Sequence, residues 1–198
     1  MKTETLFTKA VKKDARELLN KGKIISGYNY TDIEKQYLEY FAYYSISQNL
    51  TRIILELSKQ IDENLLDDID AGKIVFTEAN QKDYKKIIRI IRAIAAFGII
   101  VNEAKEIQKR AKSVESDALN DFEKKIVFEI VGGVAGMESY YNQLERLHDE
   151  IENPFVNLTA EQETAWKLLN EETLKEVDAK ANIMNMIEKI KSGVYGQQ

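Results

Sequence analysis

The chain has 198 residues, 44% of them hydrophobic and 31% charged, with one proline and nine glycines; this suits one helical domain with a real core and excludes a loop-rich or disordered chain. Cysteine is absent, which excludes disulfides, thiolate metal sites and cysteine nucleophiles. The formal charge of −5 is unevenly spread: residues 1–25 carry seven Lys or Arg against three acids, whereas 145–178 carry ten acids against three bases, and so acidic a C-terminal part disfavours nucleic acid, whose phosphates it would repel.

The first predicted helix runs from about Glu4 to Asn20, because Phe7, Val11, Ala15 and Leu18 recur every three or four residues and form one apolar stripe. Gly22 is its expected stop. Thr31-Asp-Ile-Glu34 reads as a capping box, in which the Thr side chain accepts from a free helix N–H and Glu reaches back to the Thr amide. The second helix is expected to continue from there towards Ile69. Ile33, Tyr37, Tyr40, Tyr44, Ser47, Thr51, Ile54, Ser58, Ile61 and Leu65 alternate steps of four and three, a coiled-coil-like heptad seam. Gly72 is placed to end it in the left-handed conformation.

The third helix is expected after Thr77, a candidate N-cap, and extends to about Lys112. It contains Ile87 to Val101, IIRIIRAIAAFGIIV, in which only Arg89 and Arg92 are polar. That run is too short for a membrane span, which needs roughly 18–20 apolar residues, so it reads as the central helix of a bundle. Arg89 and Arg92 are expected to reach the surface or to pair with carboxylates such as Glu129 or Glu138. The fourth helix follows a break at 113–117, with Ser116 as its expected cap, and ends at Asn153-Pro154. Thr159-Ala-Glu-Gln162 is a second capping box, opening a fifth helix that Gly193 ends. Short turns between long helices imply antiparallel neighbours. The expected fold is therefore an all-α, elongated antiparallel bundle of about five long helices. It forms a single domain over residues 1–198, with a soft boundary at 153–159.

Two small-residue patches stand out. Val131-Gly-Gly-Val-Ala-Gly136 places three glycines inside a helix, at a cost of about 2–3 kcal/mol relative to alanine. Gly132, Gly133 and Gly136 are expected to pack closely against Ala95, Ala96 and Gly98 of the third helix. A sharper alternative is a membrane-active, pore-former-like protein that inserts the apolar segments 87–101 and 126–137.

The single histidine, His148, opens another alternative. Glu145-x-x-His148 puts both side chains on one helical face, as in carboxylate-bridged metal bundles, although no second such motif exists. Leu147-His-Asp-Glu-Ile-Glu-Asn-Pro-Phe155 resembles the Leu-His-Asp box of some sensor histidine kinases. The resemblance implies a helical histidine that takes a phosphoryl group, with the adjacent acid helping to activate it. It spans about nine residues, the basic residues expected before the box are reduced to Arg146, and no glycine-rich nucleotide-binding segment follows. The bland expectation is an exposed histidine near a helix C-terminus, where its charged form is mildly favoured.

Tyrosines crowd between Tyr28 and Tyr44. Tyr37, Tyr40, Tyr43 and Tyr44 span more than one helical face, and tyrosine is favoured both at core edges and at interfaces; all four are candidate interaction residues. No nucleotide-binding, serine-hydrolase, zinc-protease or EF-hand motif is present. The sequence thus points to a non-enzymatic α-helical interaction or structural protein, a subunit of a homo- or hetero-oligomeric assembly, cellular or viral. No cofactor is expected. The partner is expected to be protein, itself or another chain, with nucleic acid disfavoured and a membrane a secondary option. Without a signal-like N-terminus, a cytoplasmic location is expected, and a viral particle also fits.

Overall fold

The computed structural model describes residues 2–24 and 27–195. It is an all-α bundle. Among the described residues seven α-helices follow one another: α1 (Lys2–Lys21), α2 (Asp32–Ser58), α3 (Glu63–Asp70), α4 (Gln81–Ser113), α5 (Asp121–Glu152), α6 (Ala160–Glu176) and α7 (Ala179–Tyr195). Two of the five expected long helices are each divided in two. The second breaks after Ser58 because Asp62 starts a new helix, its side chain accepting from the Asn64 amide at 2.9 Å. The fifth breaks at 177–178, where Asp178 accepts from the Ala181 amide at 3.0 Å.

The predicted caps account for several helix ends. Thr31 and Glu34 form their reciprocal box, at 2.9 Å and 3.3 Å, and so do Thr159 and Gln162. Gly22 and Gly72 both take a left-handed φ of 72°. After α3 the Gly72 amide donates to Ile69 and the Lys73 amide to Asp68, at 2.9 and 2.8 Å, which satisfies two carbonyls that the helix leaves open. Two expected caps are corrected. Asn120, not Ser116, opens α5, its side chain accepting from the amides of Phe122 and Glu123 at 3.0 and 2.9 Å. Thr77 sits in a turn before α4 rather than at its N-cap, its amide donating to the Asn80 side chain at 2.8 Å.

The chain forms two compact units, Met1–Gln48 with Gly98–Tyr140 and Ile183–Gln198, and Asn49–Phe97 with Tyr141–Asn182. The divisions therefore fall within helices and not at 153–159. In the first unit, α1 buries its whole predicted stripe, Phe7, Val11, Ala15 and Leu18. Ile100, Ala104 and Ile107 of α4, Ile126, Ile130 and Val134 of α5, and Ile183, Ile187 and Ile190 of α7 complete its apolar interior. Gly193 does not end α7. It lies inside the helix, where an added Cβ would overlap Leu18 and stand 3.2 Å from the Lys23 Cα. Glycine thus serves close approach there and not termination.

In the second unit, the N-terminal part of the Ile87–Val101 run supplies the centre. Ile87, Ile88, Ile90, Ala93, Ile94, Ala96 and Phe97 are buried. Around Ile87 and Ile88 gather Leu65, Ile69, Ile74, Tyr84, Phe155 and Leu169, with Phe76 and Trp166 packed against them. Trp166 lies flat on Phe155, with centroids 4.1 Å apart and planes 2° from parallel. Half-buried, it closes one side of this cluster.

Candidate functional site

The tyrosine cluster proves to be mostly core. Tyr43 is fully buried and Tyr40 nearly so, and this removes both from any free interaction surface. Tyr37 donates a hydrogen bond of 2.5 Å to Glu129 on α5. Burial first, then the Glu129 carboxylate, raises the Tyr37 phenol well above its ordinary range. Burial, followed by the neighbouring Tyr44 and Glu129, pushes Tyr40 up to about 12. Both phenols are thereby held neutral, and that of Tyr37 keeps the proton it donates to Glu129. Tyr44 alone of the four is exposed.

Further polar groups are buried beside them. Tyr30 donates to the fully buried Asp14. Glu39 on α2, only 1% exposed, accepts from Arg110 on α4 at 2.9 Å. Burial raises its carboxyl pKa, and Arg110 opposes that rise. Lys191 on α7 pairs with Glu103 at 2.7 Å.

The glycine segment of α5 divides by direction. Gly133 points inward, and a Cβ there would overlap the Tyr40 hydroxyl. Gly132 and Gly136 are exposed, and nothing lies within 4 Å of the space a Cβ would occupy. The expected packing of Gly132 and Gly136 inside the bundle is therefore corrected. The inward stripe of α5 is Ile126, Ile130, Val134 and Met137, and Gly132 lies two residues from both Ile130 and Val134. At 3.6 residues per turn, two residues are about 200° of rotation, so Gly132 must face away. Of the other small patch, Ala96 and Gly98 are buried and Ala95 is exposed.

The outward face of α5 holds a residue the motif reading passed over. Phe128 is 79% exposed. The same rotation from Ile126 and Ile130 would have shown it. Phe128, Gly132, Ala135 and Gly136 thus form an open apolar strip on one helix.

The arginines of the α4 run also find different partners. Arg89 pairs with Glu176 of α6 at 2.5 Å, and Lys85 pairs with Glu172 and Glu176 at 3.2 and 2.9 Å. Glu129 and Glu138 are taken instead by Tyr37 and by Lys105, the latter at 2.6 Å. Arg92 has neither an ion pair nor a side-chain hydrogen bond among the described residues. It lines a cavity of about 220 Å³ with Arg89, Leu50, Ile53, Leu57 and Val177. A second cavity of about 300 Å³ lies between Ile61, Leu66, Ile87, Leu147, Ile151 and Phe155.

His148 is half-buried, with its Nδ1 3.7 Å from Asp149 and 3.6 Å from Glu152, instead of standing fully in solvent. Among the described residues no three His, Asp or Glu side chains converge as metal ligands would, and no helix is long and apolar enough to cross a membrane. No family model, curated protein or solved structure matches the chain.

Proposed function

We propose that the protein is a non-enzymatic helical interaction protein that associates with a second copy of itself through the outward face of α5. The observation that carries this reading is the open strip of Phe128, Gly132, Ala135 and Gly136. Water gains nothing from three smooth positions and one exposed phenyl ring, and each helical glycine costs about 1 kcal/mol relative to alanine. A closely approaching helix offsets that cost.

The strip is self-complementary. An antiparallel pair of α5 helices centred on Gly132 sets residue 128 of each copy beside residue 136 of the other, so each Phe128 ring fills the space over the opposite Gly136. The same register brings Lys125 beside Ser139 and Glu129 beside Ala135, so like charges do not meet along the strip. Such an isologous contact closes on itself as a two-fold dimer. A single helix face is narrower than the roughly 1,200–2,000 Å² of a standard stable interface, so the association is concentration-dependent.

Sedimentation velocity across a concentration series tests this. The natural chain should shift from monomer to dimer, and Phe128→Glu and Gly136→Leu should each hold it monomeric. Both positions face solvent, so neither substitution should lower the helicity or the thermal stability of the monomer at low concentration, and Gly136→Leu should raise the latter through helix propensity. A chain that stays monomeric at high concentration, or a dimer indifferent to both substitutions, overturns the proposal.

A further inference from the structure

The cavity beside Arg92 has a chemistry that the dimer reading does not use. Its walls are aliphatic: Leu50, Ile53 and Leu57 recur at i, i+3 and i+7 on α2, and Leu174 and Val177 face it from the end of α6. Into this apolar space α4 sets two guanidinium groups three residues apart, hence on one helical face. Their charge balance is uneven. Lys85 and Arg89 together meet Glu172 and Glu176, which leaves that group neutral. Arg92 adds a positive charge with no carboxylate against it among the described residues. The Nε of Arg89 is also buried without an acceptor.

A half-buried guanidinium without an anion is an unfavourable arrangement, and a planar donor fork matches a carboxylate particularly well. We infer that this cavity binds a small amphiphilic carboxylate, its head on the guanidinium of Arg92, its alkyl chain along Leu50, Ile53, Leu57 and Val177. The volume of about 220 Å³ falls below the roughly 300–1,000 Å³ of pockets for drug-sized ligands, so the ligand is a short to medium monocarboxylate and not a long acyl chain or a folded partner.

Isothermal titration calorimetry of the full chain with octanoate is the test. Octanoate should bind saturably, one per chain, octanol should bind more weakly, and octylamine should not bind. Arg92→Ala should weaken octanoate binding by at least about tenfold, since it removes one partner of a desolvated charge pair, and Arg92→Lys should retain part of the affinity. Should Arg92→Ala fail to fold, Ile53→Ser, at a position already 39% exposed, should weaken binding through the alkyl chain instead. Absence of octanoate binding, equal binding of octylamine, or affinity unchanged in Arg92→Ala each overturns the assignment. The Phe128→Glu chain should bind octanoate normally, so failure of the dimer and failure of this site give different results.

Discussion

The two units are stabilised in different ways. The first buries ionisable groups and pairs them, Asp14 with Tyr30 and Glu39 with Arg110, while at its edge the half-buried Tyr37 donates to the exposed Glu129. The second closes on stacked and tilted rings, Phe76, Tyr84, Phe155 and Trp166, and keeps two apolar cavities. Paired buried polar groups stabilise little in net terms, but leaving one unpaired is costly, so they penalise any arrangement that separates them. Apolar packing is non-directional and can leave cavities, although enlarging one costs stability. Cavities therefore lie where packing is apolar, while geometric definition lies where buried polar groups are paired.

The strongest challenge to that contrast is Phe155→Ala. It removes the ring beneath Trp166 and enlarges a cavity that Phe155 already lines. Urea unfolding should show a loss of about 3–5 kcal/mol. A loss below about 1 kcal/mol would mean that the aromatic cluster is not what holds the second unit.

A smaller effect, with a pH signature, belongs to the first unit. Arg110→Ala leaves Glu39 buried without its guanidinium. The loss should be about 2–3 kcal/mol at neutral pH, less than the roughly 3–5 kcal/mol of a fully enclosed pair, because Arg110 is one-third exposed. The Glu39 pKa is raised in the folded protein, by burial first. The native state therefore holds a proton that the unfolded chain has already released, and stability from this group falls as pH rises from the ordinary carboxylate value through the raised one. Arg110→Ala should steepen that fall and Glu39→Gln should remove it, read as the difference between each variant and the natural chain from pH 4.5 to 7. Unfolding curves for Glu39→Gln that parallel the natural chain across this range would count against a raised Glu39.

The finest test lies within α5. Gly133→Ala should destabilise by about 1–2 kcal/mol, since overlap with the Tyr40 hydroxyl outweighs the gain in helix propensity. Gly132→Ala, one residue away in open space, should stabilise the monomer by up to about 1 kcal/mol. Thermal unfolding at low concentration separates the two, and equal shifts would show that the inward and outward faces are not distinct.

Much of this architecture was legible in residue spacing, and the reasons differ by element. Phe7, Val11, Ala15 and Leu18 make a clean stripe because α1 buries one face. Thr31 and Thr159 were readable as caps because the boxes are local chemistry. The break before α3 was not, since Ile54, Ser58, Ile61 and Leu65 keep the heptad rhythm across it and neither Gly nor Pro marks the stop. Tyr43 lies off the predicted seam, yet α2 buries a face wide enough to include it along with Glu39 and Ala42. For the candidate surfaces, the composition of the α5 segment was visible but its direction was misjudged, although rotation from Ile130 and Val134 would have fixed it. The Arg92 cavity was beyond reach, because Leu50 and Val177 share it through tertiary packing.

The approach of Gly193 to Leu18 and Lys23 joins a helix from the first two dozen residues to one from the last twenty. As a nascent chain leaves the ribosome, every residue of the second unit, up to Asn182, is synthesised before Ile183, Ile187, Ile190 and Gly193. Contacts of such sequence separation form late, and units fold as they are completed. During synthesis the Phe7 end of α1 can meet Tyr30, Tyr37 and Phe122 well before α7 exists, whereas the approach of Gly193 to Leu18 waits until α7 has been made.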